Sequence, residues 1–373
     1  MKDIGKETFY WLALNSIHGV GKTTFKTLIR RYGSPLKVFE TPIEELQERA
    51  GIPPRLAKEI KGFKKREEIE EELALAETKG VKILTLNSKS YPNNLLEIYD
   101  PPPYLYIKGA IREEDHQAVA VVGARSATSY GKEITKRICR ELAAHNITVV
   151  SGMARGIDTA AHTGAIEGGG RTIAVLGCGI DVIYPPENSG LFQSITGNGA
   201  VISEFPMAAP PLSRNFPMRN RIISGLSLGT VIVEASMRSG SLITARLALE
   251  QGREVFAIPG NITSNRSHGT NRLIKQGAKL VENIDDILEE LIPQIEGRKN
   301  SNPIVDKLPE IALCAEEKGV LETLNHEPKH IDTIIRESRL NSSKVSVTLL
   351  NMEIKGIIKG HPGKYYTKNF ETS

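Results

Sequence analysis

The chain has 373 residues, 40% of them apolar and 25% charged, so two or three ordinary globular domains are expected, with cores of useful size. A net charge of +4 and a pI near 8.8 exclude a polycationic protein, so any polyanion-binding surface must be a local patch. The three cysteines, Cys139, Cys178 and Cys314, lie far apart without CxxC spacing, which fits reduced thiols and excludes a disulfide scaffold. No signal-peptide pattern opens the chain and no run approaches about 18 apolar residues, so a cytoplasmic protein without a membrane span is expected.

Residues 1–110 read as a helical domain. Phe9–Leu14 is apolar, Ile17-His18-Gly19-Val20-Gly21 breaks it, and Lys22–Arg31 resumes a helical period until Gly33-Ser34-Pro35. Ile43–Arg49 and Pro53–Lys61 predict two short helices and Lys64–Glu77 a charged one. Val81–Leu86 suits a strand, and Tyr91-Pro92 with Pro101-Pro102-Pro103 reads as an extended connector.

Residues 111–292 change character. The runs Ala118–Val122, Ile147–Val150, Thr172–Leu176, Ala200–Ser203, Thr230–Glu234, Glu254–Ile258 and Lys279–Val281 are β-branched and mostly apolar on both faces. They alternate with helical stretches. This predicts an α/β domain, a Rossmann-like doubly wound parallel sheet. Residues 293–311 are polar and read as a flexible linker. In residues 312–373, three short helices and a Gly-containing hairpin outline a winged helix, with Ser342–Met352 in the recognition position. Acidic and basic residues nearly balance there, which suits partner binding or regulation as well as DNA reading.

Ligands of open parallel sheets sit beyond the carboxyl ends of the strands, so the loops after each run hold the candidates. After the first, Gly123-Ala124-Arg125-Ser126 offers close backbone approach and a guanidinium fork, or else a tight turn with a surface arginine; it is neither GxGxxG nor a P-loop. After the second, Ser151-Gly152-Met153-Ala154-Arg155-Gly156 opens a helix whose free N–H groups favour an anion. Asp158 reads there as a dipole-complementing residue and His162 as a packed one. Cys178 reads as a small buried thiol, and Tyr184 either stacks on a base or packs on Pro185-Pro186.

Phe216-Pro217-Met218-Arg219-Asn220-Arg221 joins an aromatic to basic groups, as single-stranded nucleic acid requires. In the competing reading, Phe216 is core and the arginines pair with Glu204 or Glu234; one structural and one ligand-facing arginine are expected. Ser239-Gly240-Ser241 through Thr244 opens another anion-receiving helix, and Ser264–Gly269 is a loop expected near the same edge.

Taken in order, GARSATSYG, SGMARGIDTAAHTGA, GCGIDVIYPPEN, FPMRNRIISGLS, EASMRSGSLITARLALEQGREVFAIPG and GTNRLIKQGAKLV resemble the DNA-processing protein A family (DprA/Smf). The flanks look like that family's N-terminal SAM-like or helix-hairpin-helix region and its C-terminal winged helix. The resemblance implies a non-enzymatic homodimer without cofactor or metal that binds single-stranded DNA, protects it during natural transformation and loads the RecA recombinase. It implies DNA contact at Gly123, Arg125, Ser151, Gly152, Phe216, Arg219, Asn220, Arg221, Ser239, Gly240 and Thr244; Ser126 and Arg155, in the same strand-end loops, are expected as further DNA contacts. Ala124 stands where many members have serine, which removes one hydroxyl donor. Gly19-Val20-Gly21 resembles a helix-hairpin-helix turn, with Lys22 near any phosphate it holds, and Asn271–Leu280 is the segment to examine for a dimer surface.

Two rivals remain. A nucleotide phosphoribohydrolase of the lysine-decarboxylase-like (LOG) kind needs PGGxGT and a nearby glutamate, whereas this chain keeps only Gly229-Thr230 and a displaced Glu234. A transcriptional regulator would read duplex sequence through the winged helix.

Overall fold

In the computed structural model, residues 3–300, 315–324, 328–338, 340–354 and 357–368 are described, and they form two compact units divided after Arg298. The first unit opens with six helices, from Asp3–Ser16 to Arg66–Thr78. A sheet of nine strands follows. Its members are β1 (Lys82–Thr85), β2 (Tyr104–Gly109), β3 (Ala118–Gly123), β4 (Thr148–Ser151), β5 (Thr172–Val175), β6 (Ala200–Ser203), β7 (Gly229–Val233), β8 (Glu254–Ala257) and β9 (Lys279–Leu280). Their spatial order is β1-β2-β6-β5-β4-β3-β7-β8-β9. From β6 to β9 every pairing is parallel.

Each of the seven apolar runs is a strand, and β3 shows why. All of Ala118–Val122 is buried, and successive side chains enter opposite cores, with Ala118, Ala120 and Val122 in one and Val119 and Val121 in the other. A strand covered on both sides by helices has no face left for polar residues.

Two boundaries move. Residues 82–109 do not belong to a separate helical domain, because β1 and β2 add an antiparallel pair to the sheet beside β6. Residues 293–300 are not linker, because the helix Asp285–Asn300 runs through Pro293; the rest of the expected linker lies outside the described residues.

The chain lays down β3 to β6 outward on one side, then returns to place β7 on the other side of β3. The reversal between β3 and β7 is the topological switch point, where a crevice opens at the strand ends. Gly123 faces Val233 across it. A side chain at Gly123 would run into the Val233 carbonyl and the Ile157 side chain, so only glycine lets the strands close there.

The second unit has helices Ala315–Thr323, Ile331–Ser338 and Ser342–Ile354 and a sheet of β10 (Lys329–His330), β11 (Ile358–His361) and β12 (Tyr365–Lys368). Val320, Leu324, Ile334, Val345, Leu349 and Met352 form its core. This is the expected winged helix, with the recognition-position helix starting at Ser342.

Candidate functional site

At the switch point lies a cavity of about 370 Å³, lined by Gly123, Arg125, Phe216, Arg219, Asn220, Ser239, Gly240 and Thr244 together with Asp158, Ser213 and Ser241. Four sequence segments meet there. The loop after β3 supplies Gly123 and Arg125. The helix Asn215–Gly225 supplies Phe216, Arg219 and Asn220, and the start of the helix Ser241–Glu250 closes the opposite wall. Asp158 comes from the first turn of the helix Ile157–Glu167.

Phe216 is half-buried at the centre. The Arg125 guanidinium lies 5.2 Å from its ring centroid, the Arg219 guanidinium 6.0 Å and the Tyr184 ring 5.7 Å. Cations over an aromatic face are attracted by its quadrupole. Arg125 is exposed and has no ion-pair partner among the described residues, so its charge is available to an incoming anion.

Arg219 is buried. Its Nη1 donates to the carbonyl oxygens of Gly152 and Val175. Burial pulls its pKa down to about 10 despite the nearby Asp158 carboxylate. Burial also pushes Asp158 up to about 6, against the pull of Arg219 and of the Ala154 N–H. At both groups burial outweighs the pull of the opposite charge.

The remaining expected residues are placed elsewhere. Ser126 lies on the adjoining surface. Ser151 is fully buried and its hydroxyl donates to the Val121 carbonyl, so it is not a ligand donor. Gly152 packs under Arg219 and Asp158, where any side chain would collide with both. Arg155 is exposed but ion-paired with Glu187.

Arg221 is corrected outright. It is buried and bonded to Asp100 at 2.9 Å and to Glu204, away from the cavity. Lys22 joins the same network, 3.3 Å from Asp100, so its ammonium is not a free phosphate contact. On a helix, residues two apart point to opposite sides, so Arg219 and Arg221 cannot share one ligand. The pairing with Glu204 is half of the competing reading.

Other expectations hold. His162 is buried, with Nδ1 against the Thr172 hydroxyl and its pKa lowered by burial to about 3. The Cys178 thiol is buried and pushed up to about 11. The loop before the helix His268–Lys275 reaches the site edge, where Arg266 Nε donates to the Ser126 carbonyl at 3.0 Å. Ser241 lines the cavity at the helix start expected to receive an anion, Asp158 lines it beyond its expected role of complementing the helix dipole, and Ser213 was not anticipated.

Glu234, the only carboxylate offered to the hydrolase reading, accepts the Thr128 N–H and hydroxyl at the start of the helix Ser129–Ala144. Among the described residues no cluster of His, Cys, Asp or Glu is arranged to hold a metal, and no helix is long and apolar enough to cross a membrane.

These features define a Rossmann-like α/β protein with a basic, aromatic pocket at the switch point of its sheet, followed by a winged helix. The family model of DNA recombination-mediator protein A matches residues 82–292 and that of the DprA winged helix domain matches 306–364. The chain is 40% identical to the Smf protein of Escherichia coli over 85% of each chain, and 33% identical to that of Synechocystis over 97% of this chain and 99% of that one. The DNA processing protein A structure from Streptococcus pneumoniae superposes with a TM-score of 0.67, at 36% identity, covering 76% of this chain and 97% of that one. A second structure, concerned with single-stranded DNA binding by the Helicobacter pylori protein, gives a TM-score of 0.52 at 33% identity, covering 57% of this chain and 96% of that one. The chain belongs to the DNA-processing protein A (DprA/Smf) family.

Proposed function

We propose that this protein binds single-stranded DNA in the switch-point pocket without sequence preference, and that it does not act as an enzyme. The observation that carries the reading is Arg125, without an ion-pair partner among the described residues and lying over the Phe216 ring in a cavity walled by helix starts. A guanidinium for the phosphate beside an aromatic for the base is the minimum unit of single-strand recognition. The Helicobacter relative, studied for that binding, supports the reading. Against hydrolysis stands Glu234, whose two carboxylate oxygens are held by the N–H and hydroxyl of Thr128, the residue that caps the following helix.

The family further suggests that a cytoplasmic homodimer protects incoming DNA during transformation and loads RecA. For the dimer we favour Asn271–Leu280, where Leu280 is 38% exposed; sedimentation of a Leu280→Asp variant as a monomer is the expected result.

The test of the central reading is a salt titration of oligo-dT against a matched duplex. The single strand should bind more tightly. Arg125→Ala should weaken all sequences alike by about tenfold and flatten the salt slope by about 0.7, one phosphate fewer. Equal binding of duplex and single strand would overturn it.

A pH effect follows from Asp158. Phosphate near Arg125 and Arg219 disfavours the ionised carboxyl further, so the complex holds the Asp158 proton at higher pH than the free protein, whose value is about 6. Affinity should therefore rise a few-fold as pH falls from about 8 towards 6, then level off. Asp158→Asn should abolish the dependence.

A further inference from the structure

We propose that the trough between the loop after β3 and the loop after β8 is a second nucleotide subsite, in which Arg266 takes the next phosphate and Tyr130 stacks the next base. It rests on the single-strand reading of the Phe216 pocket and extends it.

The first support is continuity. A solvent-open hollow of about 600 Å³, lined by Arg125, Ser126, Ser236, Ser239, Asn265 and Arg266, shares Arg125 and Ser239 with the Phe216 pocket. A chain leaving that pocket past Arg125 enters the hollow directly.

The second is the state of Arg266. Its Nε is fixed to the Ser126 carbonyl at 3.0 Å, so the guanidinium bridges the two loops. It has no ion pair among the described residues, and its two terminal nitrogens have no hydrogen-bond partner there. The loop that carries it is held before any ligand arrives. Asn261 Oδ1 accepts from the Thr263 N–H and hydroxyl, Ser264 Oγ accepts the Arg266 N–H, and Asn271 brackets Gly260 from both its N–H and its carbonyl. A fork of donors in a prebuilt loop binds phosphate without a large ordering cost.

The third is what lies beyond. A smaller cavity of about 170 Å³ has an apolar floor of Val233, Ile258 and Pro259, with Tyr130 and Asn261 at its rim and Glu234 in its wall. Tyr130 is 61% exposed although it is a large ring. The Glu234 carboxylate repels phosphate, and both its oxygens are held by the Thr128 N–H and hydroxyl. The two hollows thus differ as the two parts of a nucleotide do: a guanidinium for the phosphate, then an aromatic beside an apolar floor for the base. Arg266 and Tyr130 offer the same two side-chain types as Arg125 and Phe216, carried here on separate hollows.

The test titrates oligo-dT, and an abasic deoxyribose-phosphate oligomer of equal length, against wild type and the Arg266→Ala, Tyr130→Ala and Tyr130→Phe variants. Both side chains are exposed, so unchanged thermal melts are expected. Arg266→Ala should lose about tenfold on both ligands and flatten the salt slope by about 0.7. Tyr130→Ala should lose about tenfold on oligo-dT only, with the slope unchanged, and Tyr130→Phe should restore binding. Arg125→Ala and Phe216→Ala run alongside as reporters of the first pocket. If those two lose affinity while Arg266→Ala and Tyr130→Ala bind like wild type, the second subsite is refuted and the first stands. If none of the four loses affinity, both readings fall. A loss in Arg266→Ala without a change of slope refutes the phosphate assignment.

Discussion

Phe216→Ala is expected to weaken binding of single-stranded oligonucleotides by about ten- to several-hundredfold while leaving the salt dependence unchanged. The ring is the shared platform of the pocket, with Arg125 and Arg219 near its face and Tyr184 beside it. Loss of a base-stacking aromatic costs about 1–3 kcal/mol per base. Loss of the cation–π contact adds about 0.5–1 kcal/mol, because Arg125 is then less well held. No phosphate-neutralising charge is removed, so the slope of log K against log salt should stay at the wild-type value, in contrast to Arg125→Ala. Phe216→Trp should retain most of the affinity. Fluorescence anisotropy at four or five salt concentrations measures both quantities, and unchanged affinity in Phe216→Ala would remove the stacking platform from the account.

Arg221→Ala should act on stability instead. The arginine side chain is 6% exposed and Glu204 10%, and they are joined by Asp100 and Lys22 in one network between the N-terminal helices and the sheet domain. Truncating Arg221 leaves Glu204 buried, with Lys22 at 3.8 Å its remaining cationic partner among the described residues. Breaking a buried pair from one side costs about 3–5 kcal/mol. At a few degrees per kcal/mol, the melting midpoint should fall by roughly 10 °C. Arg221→Met combined with Glu204→Gln should recover much of this, because neither partner is then a stranded charge. The protein that remains folded should bind oligo-dT normally. A strong affinity loss at full stability would show that Arg221 belongs to the ligand site after all. Differential scanning calorimetry paired with the binding titration separates the two.

The inner parallel strands, β3 to β7, were legible because a strand buried on both faces is written as an uninterrupted β-branched run. The pocket was legible in outline because strand-end loops at a switch point converge by topology. Eight of the thirteen expected residues line it. What escaped was direction. Arg219 and Arg221 are equally basic in the sequence, and only the helical rotation between them sends one to the cavity and the other to Glu204. Ser151 closes a strand whose neighbouring carbonyl takes its hydroxyl. β2 escaped for another reason. Three consecutive prolines before Tyr104 read as a connector, and its antiparallel pairing to β6 joins residues nearly a hundred positions apart, which no local pattern reports.

That antiparallel pair bears on how the molecule can be divided. A fragment starting at residue 111 would strip β2 from β6 and leave the backbone groups of Ala200–Ser203 as an open, aggregation-prone edge. Starting at Lys82 repairs the edge but uncovers the sheet, because Trp11, Leu12 and Phe25 share one core with Tyr104, Tyr106, Leu176 and Val201. The N-terminal helices are therefore part of the wall of the binding domain, and a truncation meant to test their separate role would first measure the loss of a shared interior.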